Sequence, residues 1–334
     1  MKPVIFGLSG PSLTPAEADL FRAADPLGYI LFARNCVDRG QMRALTESLR
    51  DLSGRADVPI LIDQEGGRVA RMRPPEWPAF PAPAAFADLY ARAPSSAIAA
   101  ARANAQAIGA MLAAVGVNVD ALPLLDVAQP ETTAAIGDRS FGADPMQVAA
   151  LGRATLDGLA AAGVVGIVKH MPGHGRARVD SHLELPRVAA SDAELESDIA
   201  PFRTLASAPM GMTAHVVFEA WDAERPATLS PHVIETVIRG RIGFDGLLMT
   251  DDIDMKALSG TAADKAAAAI AAGCDVVLDC WARMDEMAAI ADRLDDIAPA
   301  ARARLGRAMA SIGAVDRTPL AELIDTRDRL LALG

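Results

Sequence analysis

Apolar residues along this chain gather in short runs, separated by longer stretches with helical spacing of apolar and polar positions. The runs read as strands near Val4–Phe6, Tyr29–Phe32, Ile60–Ile62, Val117–Ala121, Val164–Val168, Gly211–Thr213, Leu247–Met249 and Asp275–Leu278. Several are continuous rather than alternating, as expected of parallel strands buried on both faces. Alanine-rich helical stretches fill the gaps: Ile98–Val115, broken by Arg102, Asn104 and Gln106; Gln147–Ala161; Pro231–Arg239, with Ser230 as its cap; and Ala262–Ala272. Strand and helix alternating eight times predict an α/β fold, a single (β/α)8 TIM-type barrel over residues 1–334. The competing arrangement is an open doubly wound sheet, but no GxGxxG or P-loop sequence supports nucleotide use. The proline-rich stretch Pro74–Pro83 follows the third strand by a few residues and reads as an active-site loop rather than a domain boundary.

The charged and histidine residues are not scattered. The second strand runs into Arg34–Asn35 and the third into Asp63–Gln64–Glu65–Gly66–Gly67–Arg68. The fifth runs into Lys169–His170, the sixth into His215 and the seventh into Asp251–Asp252. In a parallel barrel the carboxyl ends of the strands converge on one face, where active sites are built. Four of the five histidines (His170, His174, His182, His215) fall at or just beyond such ends, and only His232 does not. A single such residue is most simply a helix cap or a surface group; the convergent set points to chemistry.

The segment Lys169–Pro186 is the densest in polar groups. Gly173, Gly175 and Pro172 mark it as a shaped loop. Asp180 and His182 stand two apart, and in an extended stretch they project to the same side. Asp180 would then fix the tautomer of His182 and raise its basicity, giving a proton-transfer dyad. Asp251 at the end of the seventh strand is read three ways, as nucleophile, metal ligand or cap of the following helix, with Asp252 and Asp254 as the better cap candidates. Asp63, Arg71 and Arg139 offer hydrogen bonds suited to sugar hydroxyls, or simple ion pairs.

Composition narrows the class. The net charge of −11 disfavours nucleic acid, whose phosphates reward clustered Lys and Arg. Cys36, Cys274 and Cys280 are odd in number and form no CxxC, so neither a disulfide framework nor a structural zinc site is expected. The N-terminus carries no long apolar stretch of signal-peptide type, and the apolar run Gly158–Val168 is well short of the ~18 residues of a membrane span. A cytoplasmic protein without membrane attachment is expected.

The chain resembles the β-N-acetylglucosaminidases of glycoside hydrolase family 3, in particular the single-barrel bacterial NagZ type. The resemblance rests on GYILFARN (Gly28–Asn35), LIDQEGGRVAR (Leu61–Arg71), GDRSF (Gly137–Phe141), KHMPGHG (Lys169–Gly175) with DSH (Asp180–His182), MTAH (Met212–His215) and GFDGLLMTDDIDM (Gly243–Met255). It implies a retaining hydrolase that removes terminal N-acetylglucosamine from muropeptide fragments, with Asp251 as nucleophile, His182 as acid/base and Asp180 its partner. It further implies sugar binding by Asp63, Arg71, Arg139, Lys169 and His170, with no metal or other cofactor and a monomeric state. Met171 stands where relatives carry an aromatic residue, and Trp281 where they often carry Asn, which bears on the aglycone side. Two rival readings are a metal-dependent barrel hydrolase, with His170, His174, His182 and Asp251 as ligands, and a sugar-binding protein without catalysis.

Overall fold

A computed structural model describes residues 1–333 of the chain. It contains ten strands: β1 (Lys2–Gly7), β2 (Pro26–Leu31), β3 (Ile60–Ile62), β4 (Val119–Asp120), β5 (Val165–Met171), β6 (Arg187–Val188), β7 (Met210–Thr213), β8 (Val217–Phe218), β9 (Leu247–Asp252) and β10 (Val276–Asp279). Eight close a parallel barrel in the order β1-β2-β3-β4-β5-β7-β9-β10, β1 pairing with both β2 and β10. The fold is therefore the α/β barrel expected from the strand–helix repeat. Sequence reading misses β6 and β8, two-residue strands that pair with each other outside the barrel. The fourth strand shrinks from its expected five residues to Val119–Asp120.

Strand parity sorts the apolar residues into two cores. Ile5, Ile30, Leu61, Val119, Ile167, Met212, Met249 and Leu278 fill the barrel interior. Val4, Phe6, Tyr29, Leu31, Ile60, Ile62, Val168, Leu248 and Val277 face the surrounding helices. This is why the strand runs read as continuous: each face has its own apolar partner.

The helices are α1 (Pro15–Ala24), α2 (Arg39–Ser53), α3 (Pro83–Tyr90), α4 (Pro94–Ala113), α5 (Pro145–Ala161), α6 (Asp192–Thr204), α7 (Ala262–Ala272), α8 (Met284–Arg293), α9 (Pro299–Met309) and α10 (Leu320–Leu331). The expected helix at Pro231–Arg239 is instead a wider π-type helix, Val233–Ile242, and Ser230 Oγ accepts from Val233 N at 3.2 Å. Helix α7 is capped by Thr261, whose hydroxyl accepts from Asp264 N, so neither Asp252 nor Asp254 caps it. Among the described residues, no helix is long and apolar enough to cross a membrane.

The amino end of the barrel is plugged. Ile297 and, from α9, Ala301, Leu305 and Ala308 pack into the interior core, and Ile297 N donates to Met1 O at 2.9 Å. An ion cluster holds the plug. Asp275 at the foot of β10 accepts from Arg239 Nη2 (2.7 Å), Arg304 Nη1 (3.0 Å) and Leu248 N (2.9 Å). Removing its carboxylate leaves two arginines and a backbone amide short of a partner. Asp275→Ala is expected to lower unfolding free energy by about 3 kcal/mol in a urea titration; a loss below about 0.5 kcal/mol would mean the cluster carries no stability.

Candidate active site

The carboxyl ends of the strands surround a cleft of about 270 Å³. All eight residues singled out from the sequence (Asp63, Arg71, Arg139, Lys169, His170, Asp180, His182 and Asp251) line it. The lining takes no residue from Pro74–Pro83. That stretch backs the turn at Gly66 and Gly67 instead, with Phe80 O accepting from Gly67 N at 2.8 Å, which corrects its reading as an active-site loop.

One wall is a buried ion network. Asp63 Oδ2 accepts from Arg71 Nη2 at 2.8 Å, and Asp63 Oδ1 from Lys169 Nζ at 3.3 Å. Lys169 Nζ also lies 2.6 Å from Glu65 Oε1, while Glu65 receives Arg139 in a fork of two 2.8 Å bonds. Lys169 and Glu65 are almost fully buried. Burial pushes the Asp63 carboxyl up, but Lys169, Arg71 and Arg139 outweigh it and hold the group well below the usual carboxylate range. Burial likewise opposes the Lys169 charge, and Glu65 with Asp63 more than restores it. The two arginines are thus both ion-paired and presented to the cleft. Glu65 escaped sequence reading although it stands in the quoted third-strand motif; its partner Arg139 lies 74 residues away.

Asp251, on β9, sits at the end of a second chain of contacts. Its Oδ2 lies 3.9 Å from His170 Nε2, and its Oδ1 accepts from Asp252 N at 2.8 Å. His170 is held from behind by Asp126, whose Oδ2 meets Nδ1 at 2.8 Å. The other Asp126 oxygen accepts from the backbone N of His170 (3.2 Å) and of His174 (2.7 Å). Against the upward push of burial, these contacts bring the Asp126 carboxyl down to about 2. Burial also pushes Asp251 up, but the imidazoles of His170 and His215, the Asp252 amide and His182 outweigh it, leaving a group that is ionised at neutral pH. His215 is fixed through both nitrogens: Nε2 donates to Asp252 O at 3.0 Å and Nδ1 meets Thr228 Oγ1 at 2.7 Å. Asp126 carried no sequence signal beyond ending the apolar run after the fourth strand.

The Asp180–His182 pair forms as expected, Nδ1 to Oδ1 at 2.8 Å, but by a different backbone route. The segment is a turn, not an extended stretch. Asp180 Oδ1 also accepts from the His182 amide at 2.9 Å, the two-residue reach of an Asx turn. The His182 side chain is 65% exposed, in contrast to buried His170 and His174. The loop is anchored below by His174 Nε2 to Ser181 Oγ at 3.1 Å, and by Gly175, where a Cβ would stand 1.8 Å from Val127 O.

His170 Nδ1, His174 Nε2 and His182 Nδ1 are engaged by Asp126, Ser181 and Asp180, and the side chains of the rival metal reading are not gathered into one ligand set. Among the described residues, His170, His174, His182 and Asp251 do not bring three ligand atoms within 4.8 Å of one another.

Comparison with known proteins decides the family. Residues 22–312 match the glycosyl hydrolase family 3 N terminal domain. The chain belongs to glycoside hydrolase family 3. It is therefore a glycoside hydrolase, as the motifs implied. It is 39% identical over 310 residues to a β-hexosaminidase of Alkalilimnicola ehrlichii, covering 91% of this chain and 88% of that protein. Among solved structures it is similar to NagZ from Neisseria gonorrhoeae in complex with N-trifluoroacetyl-D-glucosamine (TM-score 0.87, 30% identity, 99% of this chain and 98% of the other). It is also similar to a family 3 β-N-acetylglucosaminidase from a Paenibacillus (TM-score 0.85, 30% identity), covering 98% of this chain and 66% of that longer one.

One pH dependence follows from His174. Burial lowers this imidazole to about 4, against about 6.5 when free, so the ring stays neutral in the fold. Between those values the unfolded chain binds a proton that the native ring refuses. Its contribution to stability is therefore full above pH 6.5 and falls as pH drops toward 4, by about 3 kcal/mol. In denaturant titrations at pH 7 and pH 4.5, the difference between wild type and His174→Gln is expected to shrink at the acid end. Parallel pH profiles for the two proteins would contradict it.

Proposed function

We propose that this glycoside hydrolase is a retaining exo-β-N-acetylglucosaminidase. Its proposed substrates are N-acetylglucosamine–1,6-anhydro-N-acetylmuramic acid fragments, with or without peptide, in cytoplasmic cell-wall recycling. The whole chain would act as one catalytic domain and as a monomer. The observation that carries the reading is an ionised carboxylate, Asp251, at a barrel strand end in the same small cleft as a tethered carboxylate–imidazole pair. Relatives named β-hexosaminidase and β-N-acetylglucosaminidase support the substrate class.

In the first step a carboxylate oxygen of Asp251 attacks the anomeric carbon while His182 Nε2 gives its proton to the departing glycosidic oxygen. The C–O bond breaks and a glycosyl ester forms on Asp251. In the second step the neutral His182 takes a proton from water, whose oxygen displaces Asp251 from the same face that the leaving group left. Two inversions give net retention. Asp180 holds Nδ1–H throughout, so that Nε2 faces the reaction. The Asp63–Arg71 and Lys169–Glu65–Arg139 network supplies fixed donors for sugar hydroxyls, pre-oriented because each is locked to a buried carboxylate.

A route through the substrate's own acetamido group calls for an adjacent Asp–Glu pair in the cleft. The only such pair, Asp285–Glu286, lies in the first turn of α8 and does not line the cleft.

The test is hydrolysis of a chromogenic β-N-acetylglucosaminide beside the matching β-glucoside. Turnover of the acetamido sugar alone is expected, with Asp251→Ala lowering kcat by roughly 10³-fold or more and His182→Ala by roughly 10²- to 10⁴-fold. A 2-deoxy-2-fluoro or 5-fluoro glycoside should label Asp251 covalently. Activity that survives Asp251→Ala, or label on another residue, would sink the covalent route.

The aglycone side offers a separate check. Trp281 is 58% exposed and its Nε1 donates to Asp252 Oδ2 at 3.0 Å, so an apolar ring stands fixed beside the cleft wall. An aromatic pair is worth about 0.5–1.5 kcal/mol, and a second sugar ring stacked on Trp281 is expected to gain the same order. Trp281→Ala should raise KM about three- to ten-fold for disaccharide substrates and leave the methyl β-N-acetylglucosaminide, which has no second ring, nearly unchanged.

A further inference from the structure

A second convergence of carboxylates lies behind the cleft wall. Asp254 follows β9, Asp279 ends β10 and Glu286 stands in the first turn of α8; one oxygen from each lies within 4.8 Å of the other two. Acidic clusters are common, and this one alone would mean little. Asp279 sets it apart. It is 1% exposed, and neither of its carboxylate oxygens has a hydrogen-bond partner among the described residues. Buried carboxylates ordinarily accept several bonds, because a charge out of water without a partner costs several kcal/mol. This one points instead at two other acids.

The nearby cations do not reach it. Lys265 Nζ donates to Ile253 O at 3.0 Å. Arg283 is committed to Glu286, at 2.9 and 3.1 Å, and lies 3.1 Å from Asp254 Oδ2 without hydrogen-bond geometry. Asp252, Asp254, Asp279 and Glu286 face Lys265 and Arg283, and Arg34, which lies toward Asp252 and Asp279, spends its donors on Leu8 O and Cys280 O, so the acids outnumber the cations around them. An open cleft of about 550 Å³, lined by Asp254, Lys265, Arg283 and Glu286 among others, leads to the cluster and leaves room for water.

We propose that Asp254, Asp279 and Glu286 bind one hard divalent cation of the Ca²⁺, Mg²⁺ or Mn²⁺ type. Oxygen donors alone, with no His or Cys among them, select such ions over zinc, and water completes the coordination. The ion satisfies Asp279 and offsets the excess of negative charge. It also joins three separate elements, the turn after β9, the end of β10 and the start of α8. Asp251 stands three residues before Asp254, at the end of the strand that runs into this turn, so the ion would brace the segment from behind. The site is independent of the cleft chemistry and takes no part in it.

The experiment uses chelator-stripped full-length protein. Mn²⁺ binding is followed by the loss of the free-ion EPR signal, and Ca²⁺ and Mg²⁺ binding by calorimetry and thermal unfolding. One ion per chain is expected, with Kd near 10⁻⁴–10⁻³ M and a Tm rise of about 2–4 °C at 10 mM. Asp279→Asn and the partly exposed Glu286→Gln should abolish both effects, while Asp251→Asn retains them. Two results would overturn the proposal: no binding by wild type at 10 mM of any of the three ions, or binding lost in Asp251→Asn but kept in Asp279→Asn, which would put the ion in the sugar cleft. Metal-free unfolding of each variant shows that lost binding is not lost folding.

Discussion

Everything in this molecule follows from closing eight parallel strands on themselves. Closure pairs each strand on both edges and gives each strand two apolar faces, one toward the barrel axis and one toward the helices. Polar side chains are thereby expelled from the strand middles and collect at the ends. At the amino end they are structural, as with Asp275 between Arg239 and Arg304. At the carboxyl end they meet around a cleft, and their charges must be settled among themselves.

That settlement fixes which groups in the cleft carry charge. Lys169, nearly without exposure, keeps its charge because Glu65 and Asp63 are ionised beside it, and they stay ionised because Lys169 itself, with Arg71 and Arg139, faces them. Asp251 depends on a longer chain: buried Asp126 orients His170, and His170 faces Asp251. A carboxylate in such a place would otherwise protonate. The same logic runs the other way at Asp252, which burial and its neighbouring acids raise to about 6, and at Asp279, which burial raises to about 8. Carboxylates a few residues apart thus acquire opposite tendencies from which cations reach them.

The barrel was legible because its signal is local and repeated: apolar runs of strand length, each followed by a helical stretch. What escaped needed knowledge of distant pairing. Strands β6 and β8 are two residues each and owe their existence to one another. Glu65 and Asp126 act through Arg139 and His170, 74 and 44 residues away, so no window of sequence contains both partners. Thr261, not an aspartate, caps α7 because the strand runs on to Asp252 and a turn intervenes before the helix begins. The Asp180–His182 contact was anticipated from an extended geometry yet arises from an Asx turn, since a carboxylate two residues before an amide closes on it readily. Spacing alone did not distinguish those two backbones.

The two proposed catalytic groups differ in how firmly they are held, and the difference matches what each must meet. Asp251 stands on a barrel strand, backed by buried His170 and His215, and in the proposed reaction the anomeric carbon of a sugar held by the ion network would present itself at a fixed point. His182 stands on a turn in the solvent-facing part of its loop, fastened mainly through Asp180 and, one residue away, the Ser181–His174 bond. In the proposed reaction its proton would go to the oxygen that joins the sugar to whatever follows, on the side where His182 is exposed. A group on a turn tolerates small differences in where this oxygen sits; a group on a closed strand would not. On the proposed mechanism, rigidity falls where the geometry of the reaction is invariant, and freedom is left where the substrate would vary.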